Sequence, residues 1–154
     1  MTLDNPTLKG RALRLLSGRE YSRLELERKL QRFEDEPGSL AMALDELQAK
    51  GFISEQRVVE SVLHRRATKL GVGRIRQELQ SKGLESELVT QAIASLQASE
   101  LIRAQTVWQK KFHAPATDAQ VTAKQMRFLA ARGFSSDVIR RVVTARGIEH
   151  IFDE

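Results

Sequence analysis

Clusters of arginine and lysine are the residues of this sequence whose types and spacing could do chemistry. Arg65, Arg66 and Lys69 stand three and four positions apart, so a helix would carry them on one face. Long cations on adjoining faces can neutralise phosphates, which predicts contact with nucleic acid. The other interpretation is a solvated surface, because helical proteins routinely carry exposed arginine and lysine. Further basic candidates follow along the chain: Arg74, Arg76, Lys110, Lys111, Arg140 and Arg141.

Side chains that would serve catalysis or bind a metal are scarce and scattered. The chain has no cysteine, and His64, His113 and His150 lie far apart with no second ligand at helical spacing. Gly71 and Gly73 lack the third glycine of a dinucleotide-binding loop. The sequence therefore predicts no enzyme, no metal site and no cofactor.

The charge distribution places the basic field in the middle and C-terminal parts of the chain. The 154 residues include 25 lysines and arginines against 20 acidic residues, a net charge of +5. Residues 1–53 hold nine of each sign, whereas residues 103–148 hold nine basic and two acidic residues. The N-terminal third is therefore predicted to be neutral.

The composition indicates a helical protein that is not embedded in a membrane. Apolar residues make up 41% and charged residues 29% of the chain, which argues against wholesale disorder. Only three prolines occur, and β-branched and aromatic residues never alternate in runs. No segment approaches the roughly 18 apolar residues of a membrane span, and the first residues do not read as a secretory signal. A cytoplasmic monomer is the expectation.

Apolar positions recur with a spacing near 50 residues. At an offset of 49, residues 26–53 align with 75–102, so that Leu26 and Leu30 fall on Ile75 and Leu79. At an offset of 50 the match continues into the C-terminal part, while surface residues vary. Tandem copies of a helical unit produce this pattern. We predict an all-α fold of three tandem three-helix, helix-turn-helix-like repeats in an elongated array, over residues 8–53, 54–102 and 103–148, with tails at 1–7 and 149–154.

Two helix starts carry side chains that could satisfy the first free backbone N–H groups. Ser22 and Glu25 have the spacing of a capping box, and Tyr21 and Leu26 have that of a hydrophobic staple. The helix near 70–73 instead begins at glycines, which permit the turn but offer no capping side chain. The third unit repeats the first pattern, with a predicted box at Thr122 and Gln125 and a predicted staple at Val121 and Met126.

One form of helix end occurs three times, as leucine, two residues, a cation, glycine and an apolar residue. The copies are LQAKGF (47–52), LQSKGL (79–84) and LAARGF (129–134). The glycines, Gly51, Gly83 and Gly133, fit the left-handed residue just past a helix end. Each cation lies beside the negative helix terminus, so helix capping already accounts for Lys82.

Three motifs resemble one known family. They are EYSRLELERKL (20–30), KGFISEQRVVESVLHRRATKLGVGRIRQELQSKGL (50–84) and RFLAARGFSSDVI (127–139). In order and spacing they resemble RecX, a family of bacterial regulators of the recombinase RecA. The resemblance spans about residues 8–147 and implies the same tandem three-helix repeats that the apolar spacing predicts independently.

The resemblance also implies a function, that of a non-enzymatic inhibitor of RecA. Family members bind the groove of the RecA–single-stranded DNA filament and restrain filament extension, ATP hydrolysis and strand exchange, and so act in DNA repair, recombination and the SOS response. Two alternatives stay open: a free-standing helical DNA-binding module that acts without RecA, and a scaffold that binds another protein and no nucleic acid. The residues that match the family's motifs are Arg65, Arg66, Arg74, Arg76, Gln77, Lys82, Arg127 and Arg132.

Overall fold

The computed structural model describes residues 6–144, which form nine α-helices and no β-strand. The helices are α1 Leu8–Leu16, α2 Arg23–Leu30, α3 Ser39–Ala49, α4 Glu55–Arg66, α5 Val72–Ser81, α6 Ser86–Gln97, α7 Glu100–Phe112, α8 Ala119–Ala131 and α9 Ser136–Val143. A single turn of 3-10 helix, Gln31–Phe33, follows α2. The predicted all-α fold class is confirmed.

Three separate apolar clusters form the core, one for each consecutive group of three helices. The helix pairs with the most extensive contacts all lie within α1–α3, within α4–α6 or within α7–α9. Each helix repeats apolar residues three or four positions apart, so that one stripe faces its own cluster. Fully buried members are Leu26, Leu44 and Leu47 in the first cluster, Val62, Ile75 and Leu79 in the second, and Leu129 and Val142 in the third.

This grouping confirms the prediction of three three-helix units, which we call the first, second and third units. The limits of the units stay a prediction. The predicted boundary after residue 102 falls inside α7, which begins at Glu100. The predicted tail from 149 onwards, and residues 145–148 of the predicted third unit, lie outside the residues that the structure describes.

Local capping chemistry starts α2 as predicted. The Ser22 hydroxyl accepts a hydrogen bond from the Glu25 N–H at 3.2 Å, and the Glu25 carboxylate accepts one from the Ser22 N–H at 2.9 Å. Tyr21 and Leu26 both lie in the first apolar cluster. The capping box at Ser22 and Glu25 is therefore confirmed. As predicted, α5 begins without a capping side chain, after Gly71.

Helix α8 begins earlier than the sequence analysis predicts. Asp118 is its N-cap residue, and the carboxylate accepts a hydrogen bond from the Val121 N–H at 2.8 Å. The predicted capping box at Thr122 and Gln125 is therefore wrong, as is the staple at Val121, which lies inside the helix and is exposed. Asp118 is favoured because its negative charge also suits the positive helix terminus. Gln125 is buried instead and accepts a hydrogen bond from the Trp108 indole N–H at 3.0 Å.

The repeated glycine ends adopt the predicted geometry. Gly51, Gly83 and Gly133 have φ values of 84°, 71° and 92°, in the left-handed region that glycine enters without steric cost. After α3 and α8, the N–H of the residue following glycine donates to the carbonyl of the leucine five positions earlier, at 2.9 and 3.3 Å. This is the hydrogen bond of the Schellman motif.

The middle helices of the second and third units meet end to end. The Gly71 and Gly73 N–H groups, at the start of α5, donate to the carbonyls of Arg132 and Gly133, at the end of α8, over 2.8 and 3.0 Å. A Cβ atom on Gly71 would lie 2.4 Å from the backbone nitrogen of Phe134, so only glycine allows this approach. The positive end of one helix dipole thereby faces the negative end of the other.

A similar joint connects the first and second units, where the end of α5 meets the start of α2, but side chains make its contacts. The Lys82 ammonium binds the Glu25 carboxylate at 2.9 Å, and a Cβ atom on Gly83 would lie 2.7 Å from the Leu24 side chain. A Cβ atom on Gly51 would have no neighbour within 4 Å. The second and third copies of the glycine motif therefore bring helix ends of neighbouring units into close contact, whereas at the first copy the glycine is open and its carbonyl accepts a hydrogen bond from Arg57 of α4 at 2.6 Å.

Candidate functional site

The turn after α4 separates residues that the sequence analysis placed on one helix face. Helix α4 ends at Arg66, and the Lys69 and Leu70 N–H groups both donate to the Arg66 carbonyl, at 2.9 and 2.8 Å. The Arg103 guanidinium holds this turn by donating to the carbonyls of Ala67 and Leu70, at 2.8 and 2.9 Å. The prediction of one helix face for Arg65, Arg66 and Lys69 is wrong for Lys69, which follows the last residue of α4 and lines a different cavity from Arg66.

A basic groove lies between the second and third units, with a volume of about 450 Å³. It brings together four of the candidate cations from distant parts of the sequence: Lys69, Lys110, Lys111 and Arg132. Thr68, Val107 and Phe128 complete its lining, which includes no carboxylate among the residues the structure describes. We call this set of residues the interunit groove.

Phe128 orders two of the cations in the interunit groove. The Arg132 guanidinium carbon lies 4.8 Å from the centre of its ring, and the Lys111 ammonium lies 5.7 Å away. The Phe128 ring packs against the Phe112 ring in a T-shaped arrangement with centroids 5.2 Å apart, so the ring itself is held in place. A cation over an aromatic face gains on the order of 0.5–1 kcal/mol at an exposed site.

A second cavity, of about 260 Å³, contains three further candidates: Arg66, Arg74 and Gln77. Glu78 lies within it and attracts Arg66 at 3.1 Å and Arg65 at 3.7 Å. The Arg74 guanidinium donates to the Ala131 carbonyl at 2.8 Å, at the junction with α8. The cations of this cavity are therefore partly engaged within the fold, unlike those of the interunit groove.

Lys82 is the candidate whose side chain is most completely engaged in contacts within the fold. The residue is 8% exposed, and its ammonium binds the Glu25 carboxylate. Burial opposes ionisation of Glu25, but the Ser22 N–H and the Lys82 ammonium outweigh it, so the pKa of that carboxyl lies below its usual value of 4.5. Lys82 therefore bridges the first and second units. It is a weaker candidate for contact with a partner, as its capping position already indicated.

The remaining candidates lie on exposed helix surfaces outside both cavities. They are Arg76 on α5, Arg127 on α8, and Arg140 and Arg141 on α9. Arg140 approaches Asp137 at 4.0 Å, which is a weak contact between two exposed side chains. The geometry thus groups some candidates and leaves these four as separate surface cations.

Five basic residues of the first unit were missed by the sequence analysis, which treated this part of the chain as neutral. They line a further cavity and are Arg11, Arg14, Arg28, Lys29 and Arg32. Their spacing is as close as that of the selected clusters and could have revealed them. Equal totals of basic and acidic residues hid this local concentration of charge.

Metal-binding and membrane-spanning features are not found in residues 6–144. No group of three or more histidine or acidic side chains stands close enough to hold a metal ion in this part of the chain. None of its helices is both long and apolar enough to cross a membrane.

Family models and relatives match this chain over most of its length. A model described as "RecX, second three-helix domain" matches residues 54–93, and one described as "RecX, third three-helix domain" matches residues 99–143. A protein of Leptothrix cholodnii named "Regulatory protein RecX" is 50% identical over 147 residues, covering 96% of this chain and 94% of the relative. The chain belongs to the RecX family.

Other RecX proteins extend the similarity over the whole chain. The "Regulatory protein RecX" of Chromobacterium violaceum is 38% identical over 154 residues, covering all of both chains. The crystal structure of RecX from Lactobacillus salivarius has the same fold, with a TM-score of 0.76 at 19% identity over 92% of this chain and 95% of that one. Another, titled "Crystal structure of regulatory protein RecX", has a TM-score of 0.72 at 20% identity, covering 88% and 70%. The relatives carry the name of a regulatory protein.

Proposed function

We propose that this RecX-family chain is a non-enzymatic inhibitor of RecA in DNA repair and recombination. It binds in the groove of the RecA–single-stranded DNA filament and limits filament extension, ATP hydrolysis and strand exchange. The observation that carries this proposal is the interunit groove, which gathers Lys69, Lys110, Lys111 and Arg132 from three segments of the chain. Family membership supports RecA as the partner.

The interunit groove has the charge and shape to contact a polyanion. Its cations protrude from a concave surface with no carboxylate in the lining, and such surfaces concentrate the electric field of their charges. Phosphates of the filament's DNA, or acidic side chains of RecA beside them, would gain from these cations. Arg132 suits phosphate especially, because a guanidinium offers two parallel N–H donors.

The joints between units explain how local contacts could affect a whole filament. The units are linked where α8 meets α5 and where α5 meets α2, so their cationic surfaces keep a fixed spacing. A stiff row of units can bridge neighbouring RecA protomers. If it binds one state of the filament more tightly than the other, it shifts the filament towards that state by the difference in binding free energy.

The deciding experiment is the RecA ATPase rate on single-stranded DNA with this protein added below the molar amount of RecA. We expect inhibition at substoichiometric ratios, because one blocked filament end or bridge affects many protomers. An unchanged rate at every ratio would refute the proposal. Sequence-specific binding of duplex DNA, together with no effect on RecA, would favour the free-standing DNA-binding module.

Substitutions in the interunit groove connect this assay to the structure. The double variant Lys69→Gln/Lys110→Gln removes two cations of the groove, and we expect inhibition to need on the order of tenfold more protein. Lys50→Gln/Lys124→Gln removes the same net charge elsewhere and should inhibit like the wild type. If both variants lose inhibition equally, the groove contributes only through its net charge. Charge reversal at Arg65 and Arg66 is a poorer test, since it would also place acidic groups against Glu78.

A further inference from the structure

The first unit contains a basic cavity of about 690 Å³, which we call the first-unit pocket. It lies between α1, α2 and the 3-10 turn Gln31–Phe33. The other lining residues are uncharged, so no carboxylate of residues 6–144 faces it. The cations that line it are Arg11, Arg14, Arg28, Lys29 and Arg32.

Ion pairing divides the basic residues of the first unit into two sets. The four outside the pocket each bind a carboxylate: Lys9 and Lys50 bind Glu46, Arg19 binds Glu25, and Arg23 binds Glu27 and Asp45. None of the five pocket cations has a carboxylate of the described residues within 4.0 Å. The unit is neutral in total but has unneutralised positive charge on one concave surface. Such a surface is stabilised when an external anion binds.

Phe33 fixes two of the guanidinium groups and is covered by them. The Arg11 guanidinium carbon lies 3.7 Å from the centre of the ring, and that of Arg32 lies 4.6 Å away. Two planar guanidiniums stacked on one ring lose little further freedom when they bind an anion. Because guanidinium groups already lie over the ring, the pocket is better suited to phosphates than to stacking with bases.

We propose that the first-unit pocket binds clustered phosphates. The Arg28 guanidinium reaches the Ser81 carbonyl at 3.5 Å, and Ser81 also lines the cavity that contains Arg66 and Arg74. Arg74 in turn contacts the Ala131 carbonyl, next to Arg132 of the interunit groove. These contacts connect the first-unit pocket to the second cavity, and the second cavity to the interunit groove, so the three cavities form a row in which Glu78 neutralises part of the charge of the middle one. A single strand of nucleic acid is the source of phosphates that fits such a row.

The test compares two double variants by their binding of a fluorescent oligo(dT) strand in the absence of RecA. Arg14→Gln/Lys29→Gln removes two exposed cations of the pocket, and Lys50→Gln/Lys124→Gln removes equal charge outside it. We expect the pocket variant to bind the strand on the order of tenfold more weakly at low salt. The slope of log K against log salt should become shallower by about 1.4, since each lost phosphate contact on a single strand contributes about 0.7. The control should bind like the wild type.

Competitors identify the ligand chemistry. Failure of inorganic tripolyphosphate to displace the strand would assign the pocket to strand phosphates, and displacement would assign it to a free oligophosphate; both support the proposal. Equal weakening in both double variants, or no weakening in either, would overturn it. Tighter binding of polyglutamate than of oligo(dT), lost only in the pocket variant, would overturn it in favour of an acidic protein segment. Because RecA is absent, failure here leaves the ATPase result untouched.

Discussion

Lys82 illustrates how a basic residue in a family motif can be engaged in contacts within the fold itself. Its position at the end of α5 is predictable from the glycine motif that follows it. Its partner Glu25 lies 57 positions earlier in the chain, and no local pattern indicates that pairing. Glu25 also caps α2, so one carboxylate connects a helix start to the neighbouring unit. Residue types therefore suggest chemistry here, while only the packing decides which partner a charge meets.

We predict that Lys82→Met destabilises the protein by about 1–3 kcal/mol at neutral pH, because Glu25 loses its buried cation and keeps only the exposed Arg19 as an ion-pair partner. The pKa of Glu25 is lowered in the fold, so its stabilising contribution is present above its usual value of 4.5 and is lost as the pH falls through the folded value. The difference from the wild type should therefore shrink at pH 3. Urea unfolding at both pH values measures it, and a difference that stays constant would exclude this ion pair as the cause.

The elements follow from the sequence wherever their signals are local. The capping box of α2 and the three glycine ends depend on residues within a few positions of each other, and they form as predicted. The start of α8 was mispredicted because Asp118 competes with Thr122 for the same role and also carries a favourable charge. The joints between units could not be predicted, since they depend on close backbone approach between distant segments. Gly71 is an example, because its sequence context shows only a permitted turn.

The three glycine ends provide a matched series for testing these joints. An alanine at Gly51, Gly83 or Gly133 would have to adopt the same left-handed backbone conformation, which costs about 1–2 kcal/mol. A Cβ atom meets nothing within 4 Å at Gly51, the flexible Leu24 side chain at Gly83, and the Arg74 backbone nitrogen at 2.5 Å at Gly133. We predict that the loss in free energy of unfolding rises in that order. Thermal and urea unfolding measure it, and three equal losses would mean that the joints contribute nothing beyond local strain.

At the scale of the whole molecule, the arrangement of charge matters more than its total. A net charge of +5 on 154 residues suggests only a modest attraction to DNA. The fold nevertheless collects cations without carboxylate neighbours into the interunit groove and the first-unit pocket. Counting charges along the sequence located the basic region that contains the interunit groove but missed the first-unit pocket, because the pairing of Lys9, Arg19 and Arg23 with carboxylates distant in the sequence becomes visible only in three dimensions.

Salt dependence should distinguish contacts made to DNA from contacts made to RecA. Each phosphate neutralised on a bare single strand releases counterions and contributes about −0.7 to the slope of log K against log salt. In the filament, RecA already covers part of the strand, so the same protein releases fewer counterions and binds partly through protein surface. We predict a slope shallower by at least about 1 on filaments than on oligo(dT), with Lys69→Gln/Lys110→Gln reducing the slope on the bare strand by about 1.4. Equally steep slopes on both targets would mean that the protein recognises DNA alone, and the proposed role of RecA as a direct partner would then fail.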